Sequence, residues 1–373
     1  METRPNGFRR PVSRGELTSE EADRFENICP GRRVVRPTSA ANNHPLWGPY
    51  ESLHKGYSTD PEVRHQGSSG GVLTECLLYL LEDNLVDAVI QITASDDPPW
   101  GNKTIVSTTR EEVLSSAGSR YAPSSPLDIL TQLDLDKRYA FVGKPCDAGA
   151  LRSLTRSDSK LKRAFPYILS FFCAGVPSSD GAKEILQKMG AKETATVKFR
   201  FRGNGWPGTT RALSKSGTAT EMKYEEAWGE ILTKHIQFRC KICPDGTGSA
   251  ADLVAADGWE TNREGYPIFE DLPGQSLVLS RTEEGKSLTK KLESAKKVKV
   301  AFLNIEQLYS IQPGQVSKAT SNFSRTLALR MFGKRCPNYK NFNSKAAAKY
   351  APLKSSVRNF LGIIRRTISG QIE

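Results

Sequence analysis

Two kinds of apolar pattern alternate along the first half of the chain. Apolar residues recur at helical spacing over 72–81, and the run 86–92 that follows is a short apolar strand. Further apolar strands at 138–142 and 166–172 each lead into a turn with glycine or proline and then into a helix. This alternation predicts an α/β sheet with flanking helices, whose functional loops lie at the carboxyl ends of the strands.

The pattern is less regular on either side of these units. The stretch 37–71 is rich in Gly, Pro and His and has little periodicity, which predicts an ordered loop. After residue 195, short strands such as 277–280 and 298–303 stand among irregular segments, which predicts a mixed α+β arrangement in the second half. We therefore divide the chain into an N-terminal arm and ordered loop (1–64), an α/β region (65–195), a region with a Cys-x-x-Cys motif (196–330) and a basic C-terminal tail (331–373).

The positive charge of the chain is concentrated in this tail. The net charge is +12, and nine Lys and Arg against the single acid Glu373 give the tail +8. The rest of the chain is nearly balanced, so the charge does not indicate specific nucleic-acid binding. The tail ends in a predicted amphipathic helix, which packs on the body, binds an acidic partner or lies on an anionic membrane. Its apolar face consists of Val357, Phe360, Leu361, Ile364 and Ile368.

The overall composition is that of a soluble globular protein. Hydrophobic residues make up 38% of the chain and charged residues 25%. No apolar run approaches the roughly 20 residues of a membrane-spanning helix. The polar, arginine-rich start of the chain lacks the apolar segment of a secretory signal. We therefore predict a cytoplasmic location.

Four of the seven cysteines are candidates for a metal or iron–sulfur site. Cys240 and Cys243 are separated by two residues, a spacing that lets two thiolates bind one metal or one cluster. Cys146 and Cys173 each follow a predicted strand, and a parallel sheet would bring both turns to one edge. The four thiolates could then converge, although single buried cysteines are also ordinary apolar residues. His235 could complete a zinc site with the Cys-x-x-Cys pair, so the pattern alone leaves the metal open.

Three turns carry groups that could bind a phosphate or a flat ring. The segment 66–71 is rich in Gly and Ser and precedes a predicted helix, whose first N–H groups favour phosphate. The turns 117–123 and 202–208 contribute Arg, Tyr and Trp. All three patterns are also typical of structural turns and helix caps, so none identifies a ligand by itself.

Several short motifs resemble, in the same order, those of the coenzyme F-420 hydrogenase/dehydrogenase beta-subunit family of iron–sulfur flavoproteins. They are Gly70–Thr74 with Leu81–Asp87, Ser119–Tyr121, Gly143–Cys146, Phe172–Ser178 and Cys240–Asp252. The resemblance spans residues 65–280 and implies an electron-transfer oxidoreductase with FAD and one 4Fe–4S cluster.

The resemblance also implies roles for individual residues. The cluster would be ligated by Cys146, Cys173, Cys240 and Cys243. The flavin would lie near Ser69, Gly70, Gly71, Ser119, Arg120 and Lys144. Lys144 would stabilise the reduced, anionic flavin ring, and Lys144 and Asp257 are the candidate catalytic residues. Relatives often have an N-terminal cysteine motif of which this chain keeps only Cys29, so we expect no second cluster.

The expected partners follow from electron transfer. A reductase or dehydrogenase of this kind needs a reduced electron donor, such as a ferredoxin or a hydrogenase-like subunit, and a small organic substrate or deazaflavin-like cofactor. Two alternatives stay open at this point. One is a zinc-stabilised binding protein without redox activity, and the other is a scaffold that has lost its redox activity.

Overall fold

The computed structural model describes residues 1–13, 15–263 and 267–370. Its strands are β1 (Glu2–Thr3), β2 (Arg9–Arg10), β3 (Arg33–Val35), β4 (Asn42–His44), β5 (Gly48–Tyr50), β6 (Ser52–Ser58), β7 (Ala88–Ala94), β8 (Asn102–Ser107), β9 (Tyr139–Gly143), β10 (Tyr167–Phe171), β11 (Thr196–Arg200), β12 (Thr210–Ser214), β13 (Ala219–Met222), β14 (Leu253–Asp257), β15 (Ser276–Ser280), β16 (Val298–Phe302) and β17 (Asn338–Lys340). Its α-helices are α1 (Ser19–Ile28), α2 (Pro61–Gln66), α3 (Val72–Glu82), α4 (Arg110–Ser115), α5 (Pro145–Ser157), α6 (Ser159–Ala164), α7 (Ser179–Lys188), α8 (Phe238–Lys241), α9 (Glu283–Ser294), α10 (Leu308–Ile311), α11 (Pro313–Met331), α12 (Ser344–Ala348) and α13 (Leu353–Ile368). Short 3₁₀ segments occur at Pro126–Gln132, Glu193–Ala195 and Ile305–Gln307, and a π-helix at Glu225–Leu232.

Eight strands form one mixed sheet in the order β16-β6-β15-β14-β10-β9-β7-β8. The central strands β14, β10, β9 and β7 are parallel, and their register places Leu169 between Leu253 and Val142. β15 is antiparallel to both β14 and β6, so β6 runs in the same direction as the central strands. The carboxyl ends of these five strands therefore lie along one edge of the sheet, which we call the carboxyl edge.

Helices cover both faces of this sheet, because its central strands are apolar at consecutive positions. Successive residues of a strand point to opposite faces. Ile90 and Phe141 accordingly lie in one core with Leu151 of α5. Val89 lies in the other core with Cys76 of α3, and Cys76 is fully buried there as an apolar residue. The predicted α/β sheet with flanking helices is confirmed.

One prediction of the chain's local structure is wrong. The stretch 37–71, expected to be an ordered loop, contains β6, an interior strand of the main sheet, and α2. The sequence pattern does not indicate β6, because the buried residues of this strand are Leu53, Gly56 and Ser58, and only Leu53 is large and apolar. Gly56 is needed for close strand packing, since a Cβ there would lie 2.1 Å from the carbonyl oxygen of Lys299 on β16.

The second half of the chain adds a smaller sheet. β11, β12 and β13 form an antiparallel sheet that packs with α7 and the π-helix around a core including Ile185, Phe201 and Ile231. The main sheet takes its strands from residues 52–302 and so crosses the predicted boundary between residues 195 and 196. The division into four regions stays a prediction.

The basic C-terminal tail packs on the body through α13. Ile363 is buried with Ile242 and Leu329, and Phe360 and Ile364 are partly buried in the same cluster. The rest of the predicted apolar face is exposed, with Val357 at 48%, Leu361 at 56% and Ile368 at 73%. The predicted face is thus divided between a packed side centred on Ile363 and an exposed side. None of the helices in the described ranges is long and apolar enough to cross a membrane.

Candidate functional site

The carboxyl edge brings together the four cysteines singled out in the sequence. Cys146 lies in the first turn of α5, directly after β9, and Cys173 lies two residues beyond the end of β10. Cys240 is in α8, and Cys243 follows that helix by two residues. The Cys173 N–H donates to the carbonyl oxygen of Gly246 at 2.8 Å, so the loop after β10 touches the loop after α8. A Cβ on Gly175 would lie 3.3 Å from the Cys240 Cβ.

The thiols of these cysteines interact electrostatically with one another. Burial raises the pKa of the Cys146 thiol from its ordinary 9.0 to about 12, and the nearby Asp147 and Cys173 contribute to this rise. Burial raises the pKa of Cys173 to about 11, with a contribution from Cys240 and Cys243. The pKa of Cys243 is raised in the same way, by burial first and then by Asp245 and Cys240. The four thiols therefore form one group, which we call the cysteine group.

The cysteine group is not arranged around a single metal ion. Within the described ranges, no group of three or more His, Cys, Asp or Glu side chains is placed to hold one. His235 does not join the cysteines, because its Nε2 lies 2.8 Å from Glu184 Oε2 and its Nδ1 lies 3.4 Å from Ser178 Oγ. In a cubane cluster each cysteine binds a different iron, so its four sulfurs stand farther apart than the ligands of one zinc ion.

Three cationic side chains face the cysteine group. Burial alone would lower the pKa of Lys318, but the thiols of Cys173 and Cys243 raise it above its ordinary value, and its Nζ donates to the Cys173 carbonyl oxygen at 2.8 Å. Burial alone would also lower the pKa of Arg239, but the cysteine thiols raise it above its ordinary value. Lys144 is the third cation. These positive charges make the site favourable for a negatively charged group.

Lys144 is therefore placed beside the cysteines. Its side chain is 12% exposed, and its Nζ lies 2.6 Å from Asp147 Oδ2 and 2.6 Å from Ser124 Oγ. Burial would lower its pKa, but Asp147 and Cys146 raise it, so the side chain is an ammonium ion at neutral pH. Of the residues expected near a flavin, Lys144 is the one whose charge faces the cysteine group.

The Gly/Ser turn lies at the carboxyl edge, and packing explains much of its composition. A Cβ on Gly70 would lie 2.6 Å from the Ser276 nitrogen and 2.7 Å from the Gly56 oxygen. Gly71 precedes α3 with a φ of +75°, in the left-handed region that favours glycine. The Ser69 hydroxyl donates to the Gln275 carbonyl oxygen at 2.7 Å. The turn is thus clamped onto the sheet between β6 and β15.

Ser119 and Arg120 lie next to this turn. The Ser119 hydroxyl donates to Ser68 Oγ at 2.7 Å, which joins the segment to the turn. Arg120 donates to Asn102 Oδ1 at 2.9 Å and to the Phe199 carbonyl oxygen at 3.0 Å, and burial lowers its pKa to about 10. Its guanidinium group therefore anchors the start of β8 to the smaller sheet.

Asp257, the second catalytic candidate, is held in a structural ion pair. Both its carboxylate oxygens accept from Arg202 at 2.8 Å, and Oδ1 also accepts from Trp206 Nε1 at 2.9 Å. Arg202 is 2% exposed and lies over the rings of Tyr224, at 4.6 Å, and Trp259, at 5.0 Å. Three hydrogen bonds thus hold the carboxylate against Arg202 and Trp206, which explains its position by structure alone.

Sequence reasoning missed two cations and an amide at the cysteine group. Lys318 comes from α11, whose pattern gives no signal of a site. Gln237 and Arg239 directly precede the Cys-x-x-Cys motif, and Gln237 Nε2 donates to Cys240 Sγ at 3.2 Å. Their closeness in sequence to Cys240 was a usable signal, because residues beside a ligand often hydrogen-bond to it.

The fold and the cysteine group define an α/β protein with four cysteines gathered at the carboxyl ends of its parallel strands. Comparison with known families gives the same class. Two family models describe the N-terminal and the C-terminal part of the coenzyme F420 hydrogenase/dehydrogenase beta subunit; residues 53–131 match the first and residues 136–305 match the second. Together the two models match more than half of the chain. The chain belongs to the coenzyme F420 hydrogenase/dehydrogenase beta subunit family, as its motifs predicted.

The sequence identity to individual relatives is low, but the similarity extends over most of this chain. The chain is 26% identical over 282 residues to the coenzyme F420 hydrogenase subunit beta of Methanococcus voltae, which covers 72% of this chain and 88% of that relative. It is 27% identical to the coenzyme F420-dependent sulfite reductase of Methanocaldococcus jannaschii over 61% of this chain and 35% of the relative. It is 24% identical to rice 7-hydroxymethyl chlorophyll a reductase over 62% of this chain and 46% of the relative.

A solved structure shares the fold. A chain of the F420-reducing [NiFe] hydrogenase complex from Methanosarcina barkeri aligns with a TM-score of 0.58 and 20% identity. The alignment covers 80% of this chain and 99% of that chain. The present chain therefore has segments beyond the shared fold.

Proposed function

We propose that this chain is an electron-transfer oxidoreductase that holds one 4Fe–4S cluster on Cys146, Cys173, Cys240 and Cys243. The observation that carries the proposal is the convergence of these cysteines from three separate loops at the carboxyl edge. Four cysteine thiolates are the usual ligand set of a 4Fe–4S cluster. No residue outside the cysteine group is needed to complete it.

The surroundings of the cysteine group fit a cluster. A cluster held by four thiolates carries net negative charge, and Lys144, Arg239 and Lys318 would offset it in a buried position. Gln237 already supplies an N–H to Cys240 Sγ, and such hydrogen bonds raise the reduction potential of a cluster. The same cations lower the cost of ionising four buried thiols, which metal binding requires.

The proposed flavin fits only part of the residues expected for it. Ser69 and Arg120 already donate to acceptors within the protein, and Gly70 is pressed against the backbone of β6 and β15. Lys144 is a charged group at the carboxyl edge that could stabilise an anionic ring. We propose FAD at the carboxyl edge near Lys144 and the Ser119 segment, where it would share or displace the hydrogen bonds that Lys144 and Ser119 already donate to Ser124 and Ser68.

We further propose that the two-electron partner is a deazaflavin of the F420 type, as the names of several relatives suggest. When bound, a flavin would take a hydride and a cluster would pass single electrons. The protein's own residues hold these groups together at one sheet edge. A hydrogenase-like subunit is the proposed protein partner, because a solved structure that shares the fold belongs to a hydrogenase complex.

The test is an electron-transfer assay on protein purified without oxygen. Reduced F420 and a one-electron dye are added, and reoxidation of F420 is followed by its absorbance. The wild-type protein and Cys76→Ala should both catalyse dye reduction, because Cys76 lies in a core away from the cysteine group. Cys243→Ala should lose the activity. A colourless protein that binds zinc and transfers no electrons would overturn the proposal.

A further inference from the structure

A groove of about 420 Å³ lies beside the Cys240 end of the cysteine group. Its walls come from the N-terminal arm, the segment 234–241 and α13. Gln237 lines the groove and also donates to Cys240 Sγ. A molecule in this groove would therefore be separated from a proposed cluster ligand by a single side chain. We call it the cationic groove.

The cationic groove carries an excess of positive charge, part of which is offset by Glu184, a carboxylate that pairs with His235 at 2.8 Å and interacts with Lys234. Lys234, Lys241 and Arg366 line it, against the single carboxylate of Asp180, which itself pairs with a neighbouring lysine at 3.5 Å. In the part of the chain that the structure describes, none of these three cations forms an ion pair with a carboxylate.

Apolar side chains accompany these charges. Phe8, Ile236 and Phe238 line the groove. A surface that combines aromatic and aliphatic groups with arginine is typical of protein–protein interfaces. The N-terminal arm and α13 lie outside the residues that the family models match, whereas the segment 234–241 lies inside them, so the groove joins the shared region to two additional segments.

We propose that the cationic groove is the docking site of an acidic protein that carries single electrons. The inference rests on the proposed function, because it assigns the groove to electron exchange with the cluster. The positive charge of the groove favours a negatively charged partner. The contact between Gln237 and Cys240 indicates that this partner exchanges electrons. The concave shape fits a protruding acidic loop better than a flat bilayer. The transfer moves one electron from the reduced carrier to the oxidised cluster, with no bond formed or broken.

The test measures binding of a plant-type 2Fe–2S ferredoxin, an acidic one-electron carrier, to the full-length protein by calorimetry. The groove variant is K234E/K241E/R366E, and a milder variant replaces the same residues with Gln. The control is K162E/K198E/K215E, which makes the same change in net charge at exposed positions elsewhere. We expect the groove variant to weaken binding at least ~10-fold and the control less than ~3-fold. Wild-type binding should also weaken with salt, since exposed charges are screened.

The outcomes separate this inference from the proposed function. Equal loss of binding in the groove and control variants would show attraction to net charge alone and overturn the proposal. Unchanged binding in both groove variants would overturn it as well. So would binding to phosphatidylglycerol vesicles in the absence of ferredoxin binding, because it would identify a lipid surface. If the protein contains no iron but binds ferredoxin through the groove, the docking site is supported and the proposed function fails.

Discussion

Replacing Asp257 with Ala should destabilise the fold without selectively removing a catalytic group. The change leaves the Arg202 guanidinium, 2% exposed, without its carboxylate, and it removes two hydrogen bonds of 2.8 Å and the acceptor of Trp206 Nε1. Breaking one side of a buried ion pair costs about 3–5 kcal/mol. The Asp257 side chain is 21% exposed, so we expect the lower end, about 3 kcal/mol.

This free energy translates into a measurable shift in melting temperature. With an unfolding entropy of about 2.1 cal/mol/K per residue, a chain of this length that unfolds as one unit should melt about 4 °C lower. Differential scanning calorimetry of the purified protein measures the shift. The control is Asp96→Ala, whose carboxylate is 89% exposed in its pair with Lys103 and should contribute little. The reasoning is refuted if Asp257→Ala melts like the wild type while its electron-transfer rate collapses, since Asp257 would then be a catalytic acid or base.

Three further predictions concern the cysteine group and its surroundings. Because the pKa of Cys146 rises from 9.0 to about 12 on folding, the metal-free protein should lose stability between pH 9 and 12, as urea titrations at each pH would show. Gly70→Ala should cost about 1–3 kcal/mol by overpacking, whereas Gly314→Ala, with nothing within 4 Å of the new Cβ, should melt like the wild type. Lys318→Met removes a positive charge beside the cysteines and should make the cluster's midpoint potential more negative in a redox titration followed by electron paramagnetic resonance.

Three of the four central parallel strands, β7, β9 and β10, were predictable because they are buried on both faces, whereas β14 was not predicted. Such strands are continuous apolar runs, and the turns after them then hold Cys146 and Cys173 at one edge. The contact of these turns with the Cys-x-x-Cys motif does not follow from this topology, because the motif precedes β14 and meets Cys173 through the hydrogen bond from the Cys173 N–H to the Gly246 carbonyl oxygen. β6 was not predictable in the same way, because Gly56 and Ser58 fill buried positions through contacts with distant strands.

The cations of the site lay beyond the reach of sequence patterns. Lys318 donates to the carbonyl oxygen of Cys173, which lies 145 residues away in sequence, and nothing in the local sequence of α11 indicates this contact. Conversely, the Gly/Ser turn suggested a phosphate site, yet Gly70 meets a packing requirement against Ser276, 206 residues away. Contacts between residues far apart in sequence determine the roles of both Lys318 and Gly70. Such contacts cannot be predicted from a pattern of neighbouring residues.

The most direct test of the account is low-temperature electron paramagnetic resonance of the dithionite-reduced protein, purified without oxygen, with spin counting against iron and sulfide content. We predict the signal of one reduced 4Fe–4S cluster per chain in the wild type and in Cys76→Ala. The signal should be lost or greatly reduced in Cys146→Ala, with the variant still folded by circular dichroism. A wild-type protein that contains no sulfide, or a Cys146→Ala variant with the full signal, would contradict the assignment of the cysteine group.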